Sequence, residues 1–208
     1  MYVNNAFRAT LDDAKALLLD RGFGTLIAHD GGTLHASHLP FLYSPDDGPL
    51  GRLAFHVAKP NPLHRIFATH PEALLICQGP DAYISPDWYA NEDQVPTWNY
   101  VTVHVSGTVR VFDASQTRAH VDALSAKFEA RLAPKKPWTT AKMTPRRLEA
   151  MLQAIVPLEM TIERIEPSWK LGQQKDQADR EGAIAGLRAQ PSESARRIAD
   201  LMERALRG

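Results

Sequence analysis

Hydrophobic and polar positions alternate in short runs over the first half of the chain, and recur at helical spacing over much of the second half. Five runs have the length and the apolar content of strands: residues 23–29, 33–43, 50–58, 73–78 and 158–165. Asp30-Gly31-Gly32 between the first two is typical of a hairpin turn, because glycine tolerates the positive φ that such turns need. Residues 100–112 alternate as one further long strand. Strands in direct succession favour an antiparallel barrel.

Helical spacing accounts for most of what remains. It predicts helices at residues 10–21, 63–69, 114–132, 144–155, 177–189 and 192–206. Thr144-Pro145 is a helix start with proline at its first position, and Pro191 separates the last two helices. The expected fold is therefore mostly β with α, a β-barrel plus C-terminal helices. We expect a single domain over residues 1–208, with a barrel core over about 10–166 and a helical tail over about 170–208.

Charge and cysteine content narrow the function classes. Lys+Arg and Asp+Glu are both 24, so the formal net charge is zero, whereas proteins that neutralise nucleic-acid phosphates usually carry a basic excess. The single cysteine, Cys77, excludes an intramolecular disulfide and favours a buried small side chain. The sequence shows no signal peptide and no apolar stretch of membrane-spanning length, so we expect a cytoplasmic protein with no membrane contact.

The segment at residues 55–65 has more polar detail than a barrel requires. It leads from a predicted strand into a helix start and carries Lys59, His64 and Arg65. Positive side chains and free backbone N–H groups together suit a phosphate. A strand-to-helix turn with solvated charges is the alternative, and composition alone favours that alternative.

Residues 78–100 are the most informative stretch. They hold two tryptophans and three tyrosines, and most of the stretch is a predicted loop over residues 79–98. Flat side chains beside amides and hydroxyls suit a planar heteroaromatic ligand, and packing of the loop against the barrel is the competing interpretation. The roles of Ser85, Trp88 and Tyr89 do not follow from the sequence.

Other site classes find little support. The eight histidines show no zincin-like spacing with carboxylates, and we expect no metal site. No glycine-rich phosphate loop and no nucleophile elbow are present. No residue is an obvious catalytic acid or base, although Tyr83, Tyr100 and His104 have suitable chemistry.

A resemblance to a known family adds to this picture. Its motifs run almost end to end: His38-Leu39-Pro40, His56-Val57-Ala58-Lys59-Pro60-Asn61-Pro62, Gln78-Gly79-Pro80, Tyr83-Ile84-Ser85-Pro86, Trp88-Tyr89, Val95-Pro96-Thr97-Trp98-Asn99-Tyr100 and Lys170-Leu171-Gly172-Gln173-Gln174-Lys175. In this order they resemble the PaiB family of FMN-binding negative transcriptional regulators. One departure is visible, since the family usually has Ser-Gln-Asn where this chain has Gly172-Gln173-Gln174.

The resemblance implies a fold, a cofactor and an assembly. The expected fold is an FMN-binding split β-barrel that forms a homodimer, with FMN at the dimer interface. The strand at His38-Leu39-Pro40 is then expected beside the isoalloxazine ring, and Lys59 beside the phosphate. The implied cofactor contacts are His38, Leu39, Pro40, His56, Lys59, Asn61, Thr97, Trp98, Asn99, Lys170 and Gln173.

Three functions remain open at this point. The family name implies repression of genes, through DNA or through a regulatory protein partner. The last two predicted helices resemble a helix-turn-helix, but their arginines are offset by acidic residues. The alternative is a flavin-dependent oxidoreductase or reductase that uses bound FMN, because the cofactor itself carries redox chemistry. A protein-interaction module with weak cofactor binding is the third.

Overall fold

The sheet is the frame of the molecule. The structure, a computed structural model, describes residues 1–207, and over that range seven strands form one antiparallel sheet in the order β2-β1-β5-β6-β7-β4-β3. The strands are β1 (Phe23–His29), β2 (Leu34–Pro40), β3 (Leu42–Ser44), β4 (Arg52–Ala58), β5 (Glu72–Ile84), β6 (Thr97–Val111) and β7 (Ile155–Lys170). This antiparallel sheet, together with the helices, confirms the predicted fold class of mostly β with α.

The described range also holds six α-helices. They are α1 (Leu11–Arg21), α2 (Leu63–Ile66), α3 (Thr117–Glu129), α4 (Pro145–Gln153), α5 (Gln177–Arg188) and α6 (Glu193–Arg207). Each corresponds to a helix that the periodicity predicts, with ends shifted by a few residues. Not one of these helices is long and apolar enough to span a membrane.

The chain folds as two compact units. The barrel unit consists of Leu18–Cys77 and Val105–Ile165, and the helical unit consists of Met1–Leu17, Gln78–His104 and the chain from Glu166 onward. The predicted single domain over 1–208, with its core over about 10–166 and tail over about 170–208, stays a prediction.

In the barrel unit, one buried residue joins the two edges of the sheet. β2 and β3 are the outermost strands, and only Phe41 separates them along the chain. Seven flat strands at about 4.8 Å spacing would hold their edges roughly 29 Å apart, whereas a one-residue link spans about 7 Å. The sheet must therefore curl until its edges approach. Within residues 1–207 no ladder pairs β2 with β3, so the barrel is split, as expected.

Alternation along β4 shows how the barrel unit is filled. Leu53, Phe55 and Val57 are buried in its interior, and His56 between them faces the opposite side of the strand. β4 pairs antiparallel with β7, so that His56 lies opposite Pro157. The strand therefore presents one apolar face to the core and delivers His56 to the other face.

The helical unit has its own apolar core. Its buried members are Ala82, Ile84, Val101, Leu171, Ala183, Ile184, Leu187, Ala195, Ile198, Ala199 and Met202. They come from α5 and α6, from the last residues of β5, from β6 and from the turn after β7. The apolar face of α6 is thus used inside the protein.

Three expectations about strand length were wrong. β5 continues to Ile84, where a loop was predicted from residue 79, because Ala82 and Ile84 are buried in the helical unit. β7 runs from Ile155 to Lys170 rather than over 158–165. The return strand predicted over 33–43 is broken at Phe41, where the chain passes from one sheet edge to the other.

Candidate functional site

The end of β4 and the turn after it hold the first group of predicted contacts, all in the barrel unit. Asn61 Nδ2 donates to Ser37 Oγ at 2.9 Å, and Asn61 Oδ1 accepts from Leu63 N at 3.0 Å. The Asn61 carbonyl lies 2.8 Å from His64 Nδ1. The amide of Asn61 is therefore engaged on both sides, and it fixes the start of α2 against β2.

Lys59 differs from Asn61, since its side chain is exposed. Its ammonium takes part in none of the ion pairs found within residues 1–207. The backbone is held in place, because Lys59 N donates to Ala154 O at 2.9 Å. Lys59 lines a cavity of about 500 Å³ together with Arg118 and Glu149. The Lys59 ammonium forms no ion pair within residues 1–207 and its backbone is held in place, so it is suited to binding an anionic group.

His56 lies three residues before Lys59 and contacts a second histidine. Its Nδ1 is 3.1 Å from Nε2 of His120 on α3, and the two rings meet edge to face with centroids 5.3 Å apart. Phe112 packs edge to face on His120 at 5.7 Å. Burial lowers the pKa of His56, and it lowers the pKa of His120 to about 4. Both rings are therefore neutral near pH 7.

The three predicted contacts on β2 have different environments. Leu39 is buried in the core, Pro40 is half-buried, and His38 Nδ1 lies 2.9 Å from Thr25 Oγ1 on β1. Because β2 is an edge strand, its outer backbone groups have no strand partner within residues 1–207. A backbone that lies beside a ring system is compatible with this position.

The helical unit holds the remaining predicted contacts. Lys170 Nζ donates to Thr97 Oγ1 at 2.6 Å, and it lies 5.8 Å from the centroid of the Phe7 ring. Trp98 is 54% exposed and meets the ring of Tyr83, which is 45% exposed, edge to face at 6.1 Å. This unit therefore presents a cation, a hydroxyl and two uncovered aromatic rings.

Asn99 and Gln173 are turned into the protein. Asn99 is 2% exposed, its Nδ2 donates to Met202 Sδ at 3.3 Å, and its Oδ1 has no partner. Gln173 Oε1 accepts from Leu171 N at 2.7 Å, and its Nε2 donates to Trp169 O at 2.5 Å. The glutamine that this chain shares with the family triplet thus closes the turn after β7. Gly172 in that turn has a φ of 76°, the left-handed region that favours glycine.

Ser85 and Trp88, whose roles do not follow from the sequence, both make contacts within the protein. Ser85 Oγ accepts from Asp87 N at 3.3 Å and caps a short 3₁₀ turn. Trp88 covers the bare face of α5, since a Cβ added at Gly186 would lie 2.2 Å from Trp88 Cδ2 and one at Gly182 would lie 2.0 Å from Trp88 O. Trp88 therefore packs on α5 in the helical unit. The two glycines one helical turn apart are the sequence signal for it.

Tyr89 and His120 were also not assigned from the sequence. Lys175 Nζ lies 4.7 Å from the centroid of the Tyr89 ring, and burial raises the pKa of Tyr89. His120 belongs to the buried face of α3 with Thr117 and Leu124. That helical spacing could have placed His120 on the packing face, but it could not have shown His56 as its partner.

The family follows from the first four fifths of the chain. Residues 1–164 match the family described as "Putative FMN-binding domain". The chain belongs to this FMN-binding family. Its cofactor is accordingly FMN or a closely related flavin.

One relative supports the family assignment, and two solved structures share the fold. The chain is 30% identical to "Protease synthase and sporulation protein PAI 2" of Bacillus subtilis, over 98% of this chain and 97% of that one. This similarity confirms the expected relationship to the PaiB family. The fold resembles an FAD and heme binding protein from Mycobacterium smegmatis (TM-score 0.58, 21% identity, 85% of this chain and 78% of that one). It also resembles a flavocytochrome from Azotobacter vinelandii (TM-score 0.55, 16% identity, 81% and 72%).

The described side chains fit the cofactor of the FMN-binding family. The barrel unit offers an uncommitted ammonium at Lys59 for a phosphate, and the helical unit offers Lys170, Thr97 and exposed rings for a flat heteroaromatic group. Within residues 1–207 no cluster of three or more His, Cys, Asp or Glu side chains has the arrangement of a metal site.

Proposed function

We propose that this protein is a PaiB-like negative transcriptional regulator that binds FMN at a homodimer interface. The observation that carries the proposal is the exposed, unpaired Lys59 ammonium after β4 in a chain of the FMN-binding family. In this proposal Lys59 and His56 hold the phosphate, and the backbone of His38-Leu39-Pro40 lies beside the ring. When bound, FMN supplies one- and two-electron redox chemistry.

The helical unit contributes further contacts in this proposal. Thr97 and Trp98 contact the isoalloxazine ring, with Lys170 as the cation beside it. The exposed Tyr83–Trp98 pair supports this role, because uncovered aromatic pairs are typical of ligand and subunit contacts. Gln173 and Asn61 act by shaping the backbone around the cofactor, since both ends of their amides already contact protein groups. Asn99 acts from its buried position, with its Nδ2 on Met202 Sδ.

The regulatory role rests on similarity along almost the whole chain to a protein named for protease synthesis and sporulation. We propose a protein partner rather than direct DNA reading. Arg188 pairs with Asp200 and Glu203, and Arg197 pairs with Glu193. Arginines that are neutralised within the protein contribute little to phosphate binding.

The experiment that tests the cofactor and the dimer together is an absorbance spectrum combined with light scattering after size-exclusion chromatography. We expect a yellow protein of twice the 23.1 kDa chain mass that holds one FMN per chain. Colourless protein that fails to quench FMN fluorescence would overturn the cofactor assignment, and a monomer that binds FMN would overturn the interface. Steady turnover of NADH or NADPH would favour a flavin-dependent oxidoreductase instead.

A further inference from the structure

Two histidines meet in the barrel unit between β4 and α3. His56 Nδ1 and His120 Nε2 are 3.1 Å apart, so one nitrogen carries a proton and donates a hydrogen bond, which the other nitrogen accepts. Two arrangements satisfy this contact: His56 donates to His120, or His120 donates to His56. The choice decides which nitrogen of His56 is left as a donor for a ligand.

Burial of the far side of His120 selects between them. His120 is 7% exposed, and its Nδ1 is a buried atom without a hydrogen-bond partner. If His56 donated, neutral His120 would carry its proton on Nδ1, as a buried N–H with nothing to receive it. Buried orphan N–H groups are rarer than under-satisfied acceptors. The arrangement in which His120 Nε2–H donates to His56 Nδ1 leaves only a bare lone pair there.

The consequence falls on His56. With Nδ1 accepting from His120, neutral His56 carries its proton on Nε2. The buried side-chain atoms without a partner in residues 1–207 are Asn99 Oδ1, His120 Nδ1 and Arg180 Nε, so His56 Nε2 is not sealed inside the protein. It is a donor that remains available to an acceptor oxygen.

We infer that His120 is a positioning residue that holds His56 as a neutral Nε2–H donor toward the phosphate of FMN. The inference rests on the proposed function, in which His56 and Lys59 share the phosphate. The two residues then have separate tasks: Lys59 supplies the positive charge, and His56 supplies a directed hydrogen bond.

Adding a proton to the pair has no favourable route. The free lone pair of His120 faces the buried side, and His56 can bind a second proton only by giving up the hydrogen bond from His120. Phe112 packs on the His120 ring and adds no polar group. His56 is therefore a neutral donor near pH 7, which agrees with the lowered pKa of both histidines.

The test compares two substitutions at one position. In His120→Gln the amide NH₂ takes the place of Nε2–H, whereas His120→Leu removes the donor and keeps an apolar side chain beside Phe112. Long-range ¹H–¹⁵N NMR of ligand-free protein reports which nitrogen of His56 is protonated. FMN and riboflavin affinities are then measured for the wild type and both variants, because riboflavin lacks the phosphate.

We expect His56 to be protonated on Nε2 in the wild type and in His120→Gln, and to become a mixture of tautomers in His120→Leu. FMN affinity should fall by a factor of about two in His120→Leu, because the binding-competent tautomer then makes up roughly half of the mixture, and stay near the wild-type value in His120→Gln. Riboflavin affinity should be the same in all three.

Two results would overturn the inference: wild-type His56 protonated on Nδ1, or an equal loss of FMN and riboflavin affinity in His120→Leu. Failure of wild-type protein to bind FMN at all would count against the proposed function. The NMR measurement on ligand-free protein would still decide the tautomer, so the two failures are distinguishable.

Discussion

At the residue scale, the capacity to bind a ligand depends on which polar groups are already hydrogen-bonded within the protein. Asn61 and Gln173 are committed to backbone groups, whereas Lys59 is exposed and unpaired. A residue whose hydrogen bonds are satisfied within the protein stabilises a shape, and one with free donors is available to a ligand. Sequence motifs include both kinds, and only the structure separates them.

Lys59→Met should therefore weaken FMN binding, and its effect on the free energy of unfolding should be smaller than its effect on binding. We expect the dissociation constant to rise about tenfold, the loss of one charge-assisted contact. Fluorescence titration with FMN measures it. Lys136→Met is the matched control, because Lys136 is also an exposed lysine of the barrel unit. Equal losses in the two variants would show that general charge, and not Lys59, attracts the cofactor.

The histidine pair predicts a pH dependence of stability. His120 has a pKa lowered from 6.5 to about 4 in the folded protein, so the unfolded chain binds its proton first as the pH falls. Its contribution is therefore complete above pH 6.5 and is lost progressively between 6.5 and about 4. Arg52 and Glu159 are the charged side chains that line the same cavity as His120.

Urea unfolding at pH 7 and pH 5 measures this loss. We expect the wild type to lose on the order of 2 kcal/mol of unfolding free energy through His120. His120→Gln cannot titrate and should lose less over the same interval. Identical losses in the two proteins would assign the pH dependence to other groups.

At the element scale, α5 packs closely against the segment after β5 because Gly182 and Gly186 have no side chains. Gly186→Ala places a Cβ 2.2 Å from Trp88 Cδ2, so the tryptophan or the helix must shift. We expect a net loss of roughly 1–2 kcal/mol in unfolding free energy, since overpacking outweighs the better helix propensity of alanine. Denaturant unfolding provides the value.

Two comparisons make that prediction specific. Gly32→Ala is the control, because a Cβ there meets only Asp30 Oδ1, at 3.8 Å. In a Trp88→Ala background, Gly186→Ala should become neutral or stabilising. A loss that persists without Trp88 would place the strain elsewhere.

The sequence predicted elements well where local chemistry decides them. Asp30 Oδ1 accepts from Gly32 N and Thr33 N at 3.0 and 2.7 Å, and this turn produces the β1–β2 hairpin that Asp30-Gly31-Gly32 indicates. The prediction from the sequence was wrong at Gly79-Pro80, which indicates the start of a loop but lies inside β5. There the pairing and burial of the flanking residues outweigh local preference.

The candidate site was predictable to a smaller extent, for the same reason. Lys59 follows a strand and precedes a helix, so its neighbours in sequence are its neighbours in space. His120 is distant from His56 along the chain, and no local pattern links them. Contacts of this kind depend on the pairing of whole elements, which a single sequence does not encode in any one segment.

At the scale of the whole molecule, the proposed homodimer makes cofactor binding depend on protein concentration. If FMN lies at the interface, dilution below the dimer dissociation constant should lower the apparent FMN affinity, and excess FMN should shift the protein toward dimer. Titrations at two protein concentrations, with sedimentation velocity on the same samples, test this linkage. Unchanged affinity across the monomer–dimer transition would place the cofactor within one subunit.

The order of strands also matters while the protein is being made. The β1–β2 hairpin can form as soon as β2 has left the ribosome, but Arg52 of β4 pairs with Thr161 of β7, about a hundred residues later. Until β7 has been synthesised, one edge of β4 has no partner strand, and the apolar face of Leu53 and Phe55 is uncovered. Most of the chain must therefore exist before its barrel can form, and truncated or stalled chains are the forms most prone to aggregation.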